Sequence, residues 1–190
     1  MSIIDTALAE ALEVLKRGGV ILYPTDTVWG IGCDATNEAA VARVFEIKRR
    51  SEAKSLVLLA CDLDMIARHI KEIPNIAIDL VEVNDAPMTI IYPGAQYLAP
   101  NVVAEDGSVG IRIPLNDFCV KLVRKLRRPL VSTSANISGE PTPSCFAEIS
   151  PEIVEAVDYV VPPALEHEST GRASQIIKIG LRGEVEIIRP

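Results

Sequence analysis

Histidine is scarce in this sequence, which contains only two such residues, His69 and His167. A His-rich metal centre is therefore excluded, and a Ser-His-Asp hydrolase would have to use one of these two residues. The four cysteines form no C-x-x-C pair, so we interpret them as reduced thiols of a cytosolic protein rather than as disulfides or zinc ligands. They are Cys33, Cys61, Cys119 and Cys145. We predict no metal site in the chain itself.

Long apolar runs and a basic N-terminus are also missing. No run approaches the roughly 20 apolar residues that cross a bilayer. Residues 1–17 lack the basic start and the cleavage site of a signal peptide. We therefore expect a cytoplasmic protein without a membrane partner.

Aromatic side chains and positive charge are both limited. Aromatic residues make up 4% of the chain, and 19 Lys and Arg against 26 Asp and Glu give a net charge of −7. These values argue against a protein whose whole surface coats nucleic acid. They remain compatible with a local basic pocket.

What is present is the composition of an ordinary globular domain: 48% of the 190 residues are hydrophobic and 24% are charged. Helical and strand-like patterns alternate along the chain, which predicts an α/β class and one domain over residues 1–190. Helices are predicted to begin at or near Asp5, Asn37, Asp62, Pro74, Pro114 and Ser150. Strands are predicted over residues 20–23, 55–60, 88–92, 109–113, 130–133, 159–161, 175–179 and 185–188.

The glycine motifs do not indicate a known nucleotide-binding loop. The sequence has no G-x-x-x-x-G-K-[ST] segment, and residues 30–35 fit G-x-G-x-x-[GA] in the wrong context. A polar stretch precedes this motif and a helix begins only after it, whereas a dinucleotide site needs a strand directly before it and a helix within it. We attribute these glycines to backbone crowding in a core.

Lys48, Arg50 and Lys54 place positive charge at a helix end and in the segment that follows. A helix C-terminus favours such charge through its dipole alone, so one interpretation is a solvated helix end. The other is a clamp for a polyphosphate, since guanidinium and ammonium groups at this spacing suit several phosphate oxygens. The sequence alone leaves both open.

Residues 132–139, S-T-S-A-N-I-S-G, follow a predicted buried strand with hydroxyls and an amide. Ligands bind at the C-terminal ends of strands in α/β sheets, and small hydroxyls with free backbone N–H groups suit phosphate or carboxylate oxygens. The alternative is a cluster of caps and turns that binds nothing.

Arg112 lies within an apolar strand and would need an anionic partner if that strand is buried. An internal Asp or Glu would serve, and so would the carboxylate of a bound substrate. The polar segment 162–172 is either an ordinary surface loop or a lid over a site.

Six segments occur in one order along nearly the whole chain: residues 23–32, 48–50, 87–89, 110–114, 132–139 and 188–190. They read Y-P-T-D-T-V-W-G-I-G, K-R-R, P-M-T, G-I-R-I-P, S-T-S-A-N-I-S-G and I-R-P. Together they resemble the YrdC-like threonylcarbamoyl-AMP synthases in their short form. The resemblance implies a twisted mixed sheet with flanking helices and an open basic cavity.

The resemblance also implies a reaction in which L-threonine, bicarbonate and ATP, with Mg²⁺, give threonylcarbamoyl-AMP and pyrophosphate. The product serves the modification of adenosine 37 in tRNAs, so the implied partners are downstream threonylcarbamoyl-transferase proteins, with tRNA as a further candidate. The implied threonine-binding residues are Thr27, Arg112, Ser132 and Ser174. The implied ATP-binding residues are Lys48, Arg50, Lys54, Ser108, Ser134, Asn136, Thr142 and Arg189, with Lys48 and Arg50 as the catalytic cations.

The chain departs from the family pattern at Trp29, Ser51, Ser55, Leu59 and Ala86, and none of these changes removes a charge from the proposed clamp. Two alternatives stay open at this point. One is a non-catalytic RNA-binding module of the same fold, in which the basic residues track a phosphate backbone. The other is a related nucleotide-dependent enzyme with another acceptor.

Overall fold

Helices and strands alternate along the computed structural model, which describes residues 2–51, 55–167 and 169–190. The helices are α1 (Ile3–Lys16), α2 (Glu38–Lys48), α3 (Leu63–His69), α4 (Asn75–Val83), α5 (Asp117–Leu126) and α6 (Pro151–Ala156). The strands are β1 (Ile21–Tyr23), β2 (Gly30–Gly32), β3 (Val57–Leu59), β4 (Met88–Tyr92), β5 (Val109–Arg112), β6 (Leu130–Ser134), β7 (Tyr159–Val160), β8 (Gln175–Ile179) and β9 (Val185–Arg189). Three short 3₁₀ turns cover Pro100–Val102, Phe146–Glu148 and Pro163–Leu165.

Two helices begin at other residues than the sequence predicted, and side-chain caps explain both. The cap of α1 is Ser2 rather than Asp5: Ser2 Oγ accepts from Asp5 N at 3.2 Å, and the Asp5 carboxylate accepts from Ser2 N in return. Helix α5 begins after its cap, Asn116, rather than at Pro114. The predicted caps that the structure confirms are Asn37, Asp62 and Ser150.

The nine strands of the described residues form one mixed sheet in the order β7-β1-β2-β6-β3-β5-β4-β8-β9. Three pairs are parallel, namely β1 with β7, β3 with β5, and β4 with β8. This confirms the predicted α/β class with a mixed sheet and flanking helices. Because β6 lies between β2 and β3, the hydroxyl-rich segment is placed in the interior of the sheet.

The register gives the sheet one apolar and one largely polar face. Residues paired across neighbouring strands point to the same side, so the pairs can be followed from β2 to β8. One side carries the buried side chains of Ile31, Val131, Leu58, Ile111, Ile90 and Ile177. The other side carries Gly30, Ser132, Ser134, Val57, Gly110 and Arg112. The second side therefore has the small and polar residues that leave room for a ligand.

Helices cover the apolar side and close the core. Ile66 of α3 and Val81 of α4 lie beside Ile90 and Ile111 of the sheet, and α1 packs against α5. No helix in the described part of the chain is both long enough and apolar enough to span a bilayer.

Candidate functional site

A cavity of about 230 Å³ opens on the polar side of the sheet, beside β2, β3, β5 and β6. We call it the polar cavity. Its lining brings together seven of the predicted site residues, which are Thr27, Arg50, Arg112, Ser132, Ser134, Ser174 and Arg189. The described lining contains three arginines and no carboxylate, so the cavity suits an anionic ligand.

Arg112 is held from behind by a buried carboxylate. Its Nη1 atom donates to Asp26 Oδ1 at 2.8 Å and to Asp26 Oδ2 at 2.9 Å. Its Nη2 atom donates to Thr27 Oγ1 at 3.2 Å, and Asp26 Oδ2 also accepts from Leu115 N at 3.1 Å. The structure thus gives Arg112 an internal partner, one of the two that the sequence left open. The guanidinium is fixed in orientation where it lines the cavity.

Arg50 has a polar atom without a partner. Its Nη2 atom donates to Ser55 O at 2.9 Å, whereas its buried Nε atom has no hydrogen-bond partner among the residues that the structure describes. Burial lowers the pKa of this guanidinium, which still carries its charge at neutral pH. A buried donor of this kind favours an anion as its partner.

Lys48 lies behind the cavity rather than in its lining. Its Nζ atom donates to Ser134 O at 2.6 Å and to Asn136 O at 2.8 Å, and Ser138 N donates back to Lys48 O at 2.8 Å. Burial and the nearby charge of Arg50 lower the pKa of Lys48 to about 8. The basic segment and the hydroxyl-rich segment therefore meet, and Lys48 fixes the C-terminal end of β6, where Ser134 lies.

Hydrogen bonds at Ser174 link one side of the polar cavity to strands β4 and β9. Thr89 and Ser174 share a hydrogen bond between their hydroxyls at 2.7 Å. Arg189 donates from Nε to Ser174 O at 2.8 Å, and burial lowers its pKa. These contacts bring the last strand, β9, against the site.

A second cavity of about 470 Å³ continues along the same side of the sheet, and we call it the adjoining cavity. The two share part of their lining, including Val57 and Ile176. Ser108, Gly110 and Thr89 also line the adjoining cavity. Its aliphatic and hydroxyl groups suit a flat ring with a few polar edges, and two carboxylates and a lysine also line it.

Two further predicted site residues, Asn136 and Thr142, are in neither lining. Asn136 supports the loop through Nδ2, which donates to Glu140 O at 2.8 Å. Thr142 is exposed at the surface. Lys54 lies outside the described residues.

Another cavity, of about 540 Å³, lies elsewhere and suits other chemistry. Asp85, Asp117 and His167 are among its lining residues, and carboxylates repel phosphate groups. We therefore place the candidate site at the polar cavity.

Sequence reasoning missed residues that hold the site in place. Asp26 lies in the Y-P-T-D-T segment. Arg112, an arginine within an apolar strand, needed an anionic partner, and this need was the signal that could have identified Asp26. Glu166, which accepts a hydrogen bond from Trp29 Nε1 at 2.8 Å, has no comparable signal because its surrounding segment is ordinary polar sequence.

Known proteins resemble this chain over nearly its whole length. The Sua5/YciO/YrdC family model, described as telomere recombination, matches residues 13–190. The threonylcarbamoyl-AMP synthase of Stenotrophomonas maltophilia (strain K279a) is 34% identical over 185 residues, which are 95% of this chain and 97% of that protein. The one from Xanthomonas euvesicatoria pv. vesicatoria (strain 85-10) is 37% identical over 158 residues, 81% of this chain and 84% of the relative.

Solved structures of Sua5 from P. abyssi have the same fold. The H234A/Y235A form has a TM-score of 0.88 and 26% identity, covering 96% of this chain. The form complexed with L-threonine has a TM-score of 0.83 and 26% identity, covering 90% of this chain. This chain spans only 56% and 50% of those two chains.

Proposed function

The chain belongs to the Sua5/YciO/YrdC family, and on that premise we propose that it is a threonylcarbamoyl-AMP synthase. It forms threonylcarbamoyl-AMP and pyrophosphate from L-threonine, bicarbonate and ATP, for threonylcarbamoylation of tRNA. The observation that supports this most directly is the convergence of Arg50, Arg112 and Ser134 on one cavity. These residues come from separate parts of the chain, and an ordinary surface does not gather them.

The threonine site that we propose consists of Thr27, Arg112, Ser132 and Ser174, which all line the polar cavity. Arg112 would bind the carboxylate of threonine, because a guanidinium fixed by Asp26 presents its remaining donors in one direction. The hydroxyl groups would bind the remaining polar atoms of the amino acid.

The nucleotide site that we propose runs from the polar cavity into the adjoining one. Arg50, Ser134 and Arg189 would bind phosphate oxygens, and Ser108 would lie at the nucleoside end. Lys48 and Asn136 would hold the segment that follows β6, and Lys48 would add positive charge from behind. Lys54 and Thr142 stay predictions of the family resemblance.

The chemistry that we propose has two steps. The amine nitrogen of threonine attacks the carbon of bicarbonate, and loss of water leaves a carbamate. A carbamate oxygen then attacks the α-phosphorus of ATP, and the bond to the β-phosphate breaks, which releases pyrophosphate. Arg50 would stabilise the charge that develops on the leaving group, aided by the field of Lys48. Positioning and electrostatics supply the rate in this proposal.

Mg²⁺ would enter with ATP rather than occupy a resident protein site. The described lining of the polar cavity offers hydroxyl oxygens such as Ser132 and Ser134 but no carboxylate, and no cluster of three His, Cys, Asp or Glu in the described residues suits a metal. Phosphate oxygens and water would therefore supply most of its ligands, as Mg²⁺ commonly requires. When bound, the ion would neutralise phosphate charge.

The partners and location that we propose follow from this reaction. The product carries an activated threonylcarbamoyl group, so downstream transferase proteins, with tRNA as acceptor, would consume it. A cytoplasmic location fits ATP and tRNA as reactants and four cysteines that are all unpaired. We further propose that residues 1–190 act as one domain, because one sheet runs through the described chain.

The experiment that tests the function measures pyrophosphate release from ATP and bicarbonate with each of the common amino acids in turn. We expect release with threonine and little with the others. Release with a different amino acid would indicate the related enzyme with another acceptor. No release, together with salt-sensitive binding of tRNA, would indicate the RNA-binding module.

A further inference from the structure

Glu166 joins three separate parts of the chain beside the polar cavity. Its Oε2 atom accepts from Trp29 Nε1 at 2.8 Å and from Phe146 N at 2.9 Å. The rings of Trp29 and Phe146 also pack together, with their centroids 5.0 Å apart. Trp29 lines the polar cavity, so one carboxylate connects the cavity wall to the Phe146–Glu148 turn.

Glu166 belongs to the segment that the sequence offered as a loop or a lid. We call the described residues of segment 163–172 the strap. Thr170 N donates to Asp26 O at 3.0 Å, and Gly171 N donates to Thr27 O at 2.9 Å. Leu165 is buried, whereas the strap around Thr170 is exposed. Ser169 Oγ also donates to Thr27 O, so the strap lies along the segment that presents Asp26 and Thr27 and is held there by hydrogen bonds.

The strap continues directly into the site. Ala173 and Ser174 follow it in sequence and both line the polar cavity. The carbonyl oxygen of Thr27 accepts a hydrogen bond from the strap, and Thr27 also lines the polar cavity. A shift of the strap would therefore move two residues of the proposed threonine site together.

We propose that Glu166 is a positioning residue for the threonine site, acting as the latch that holds the strap against Trp29. This inference rests on the proposed function. The strap has one buried apolar anchor, Leu165, so its polar contacts decide how often it detaches. A charged acceptor shared by two N–H donors is stronger than a neutral one, and its loss leaves both donors without that partner.

Because the strap contacts the segment of Asp26 and Thr27, we expect its release to weaken threonine binding more than ATP binding.

The test compares Glu166→Ala and Glu166→Gln with the control Glu148→Ala. Glu148 is a suitable control because it accepts from Ser144 N and Ser144 Oγ near the same turn without bonding Trp29. Glutamine keeps an acceptor oxygen for Trp29 Nε1 but loses the negative charge, so Glu166→Gln should fall between the wild type and Glu166→Ala.

Three readouts separate the latch from the proposed function. In hydrogen–deuterium exchange, the amides of Thr170 and Gly171 should exchange at least about tenfold faster in Glu166→Ala, with the rest of the sheet unchanged. In the pyrophosphate assay, the KM for threonine should rise at least about tenfold while the KM for ATP changes less than about twofold. Trp29 is the sole tryptophan of the chain, so its emission should also change in Glu166→Ala but not in Glu148→Ala.

Unchanged exchange at Thr170 and Gly171 in Glu166→Ala would overturn the latch. Faster exchange with an unchanged KM for threonine would overturn its positioning role. An equal rise in both KM values would overturn it as well, because that result indicates general destabilisation. If the wild type releases no pyrophosphate with threonine, the proposed function fails, whereas exchange and emission still test the latch.

Discussion

The guanidinium of Arg112 and the carboxylate of Asp26 form a buried ion pair, with Nη1 2.8 Å from Oδ1 and 2.9 Å from Oδ2. Their side chains are only 3% and 7% exposed. The cation that lines the polar cavity is thus oriented by a carboxylate that is itself bonded to Leu115 N. Asp26 keeps Arg112 in place where the guanidinium lines the polar cavity.

The first prediction concerns removal of the negative charge of Asp26. Asp26→Asn leaves Arg112 as an uncompensated buried cation, so we expect the free energy of unfolding to fall by about 3 kcal/mol. The KM for threonine should rise at least about tenfold, because the guanidinium loses its fixed orientation. Urea unfolding and steady-state kinetics measure the two effects. The control is Lys121→Ala, which breaks an exposed pair with Asp117 and should change stability by less than about 0.5 kcal/mol. Equal effects of the two substitutions would contradict the prediction.

A second prediction compares the loss of the Arg50 side chain with the loss of the side chain next to it in sequence. Arg50→Ala removes the half-buried guanidinium from the polar cavity, and we expect pyrophosphate release to fall at least about a hundredfold with the fold intact. Arg49→Ala is the matched control, since Arg49 is exposed and pairs with Glu152 on the surface. Circular dichroism and the pyrophosphate assay check both variants. Near-normal turnover by Arg50→Ala would refute its role at the leaving group.

A third prediction is a pH dependence of ATP binding. Lys48 has a pKa lowered to about 8, so its ammonium is charged below that pH and becomes neutral as the pH rises through it. The neutral amine donates fewer hydrogen bonds to Ser134 O and Asn136 O and no longer attracts phosphate. We expect the Kd for ATP to rise above pH 8, by about tenfold at pH 9.5. Calorimetric titration of ATP alone measures this without interference from the amine of threonine.

The matched variant for the pH experiment is Lys48→Met, which cannot titrate at this position. It should bind ATP weakly at every pH, with no change between pH 7 and pH 9.5. A wild-type Kd that stays constant over this range would show that Lys48 does not contribute charge to the site.

A fourth prediction tests whether a change in the adjoining cavity affects the KM for ATP without affecting the KM for threonine. A Cβ atom at Gly110 would lie 3.3 Å from Thr89 Cγ2, on the floor of the adjoining cavity. Gly110→Ala should therefore raise the KM for ATP by about tenfold and leave the KM for threonine nearly unchanged. Steady-state kinetics with each substrate varied in turn checks this. A selective rise in the KM for threonine would contradict the assignment of the nucleoside end.

A fifth prediction concerns packing of the sheet at β2. A Cβ atom at Gly32 would lie 2.4 Å from Val131 O and 2.7 Å from Tyr23 Cε1, and neither the sheet backbone nor the buried ring can move freely. Gly32→Ala should lower the free energy of unfolding by about 2 kcal/mol or more. Urea unfolding measures the change, and a variant as stable as the wild type would contradict the crowding that we infer.

The sequence by itself determined most of the local structure. The pattern of β4 and β8 was predicted to the residue, and the caps Asn37 and Asp62 were identified, because period and capping depend on neighbours within a few positions. The six segments of the family likewise indicated the activity. The starts of α1 and α5 were placed wrongly, because more than one capping residue stood near each.

Only the tertiary structure decided how these segments meet. The partner of Arg112 is 86 residues away in sequence, and Glu166 lies 137 residues from Trp29. Lys48 also proved to support the end of β6 at Ser134 from behind the polar cavity rather than line that cavity. Such contacts follow from the strand order, with β6 between β2 and β3, and strand order depends on burial of the whole chain. Local propensity acts over a few residues, so it does not determine which distant segments become neighbours.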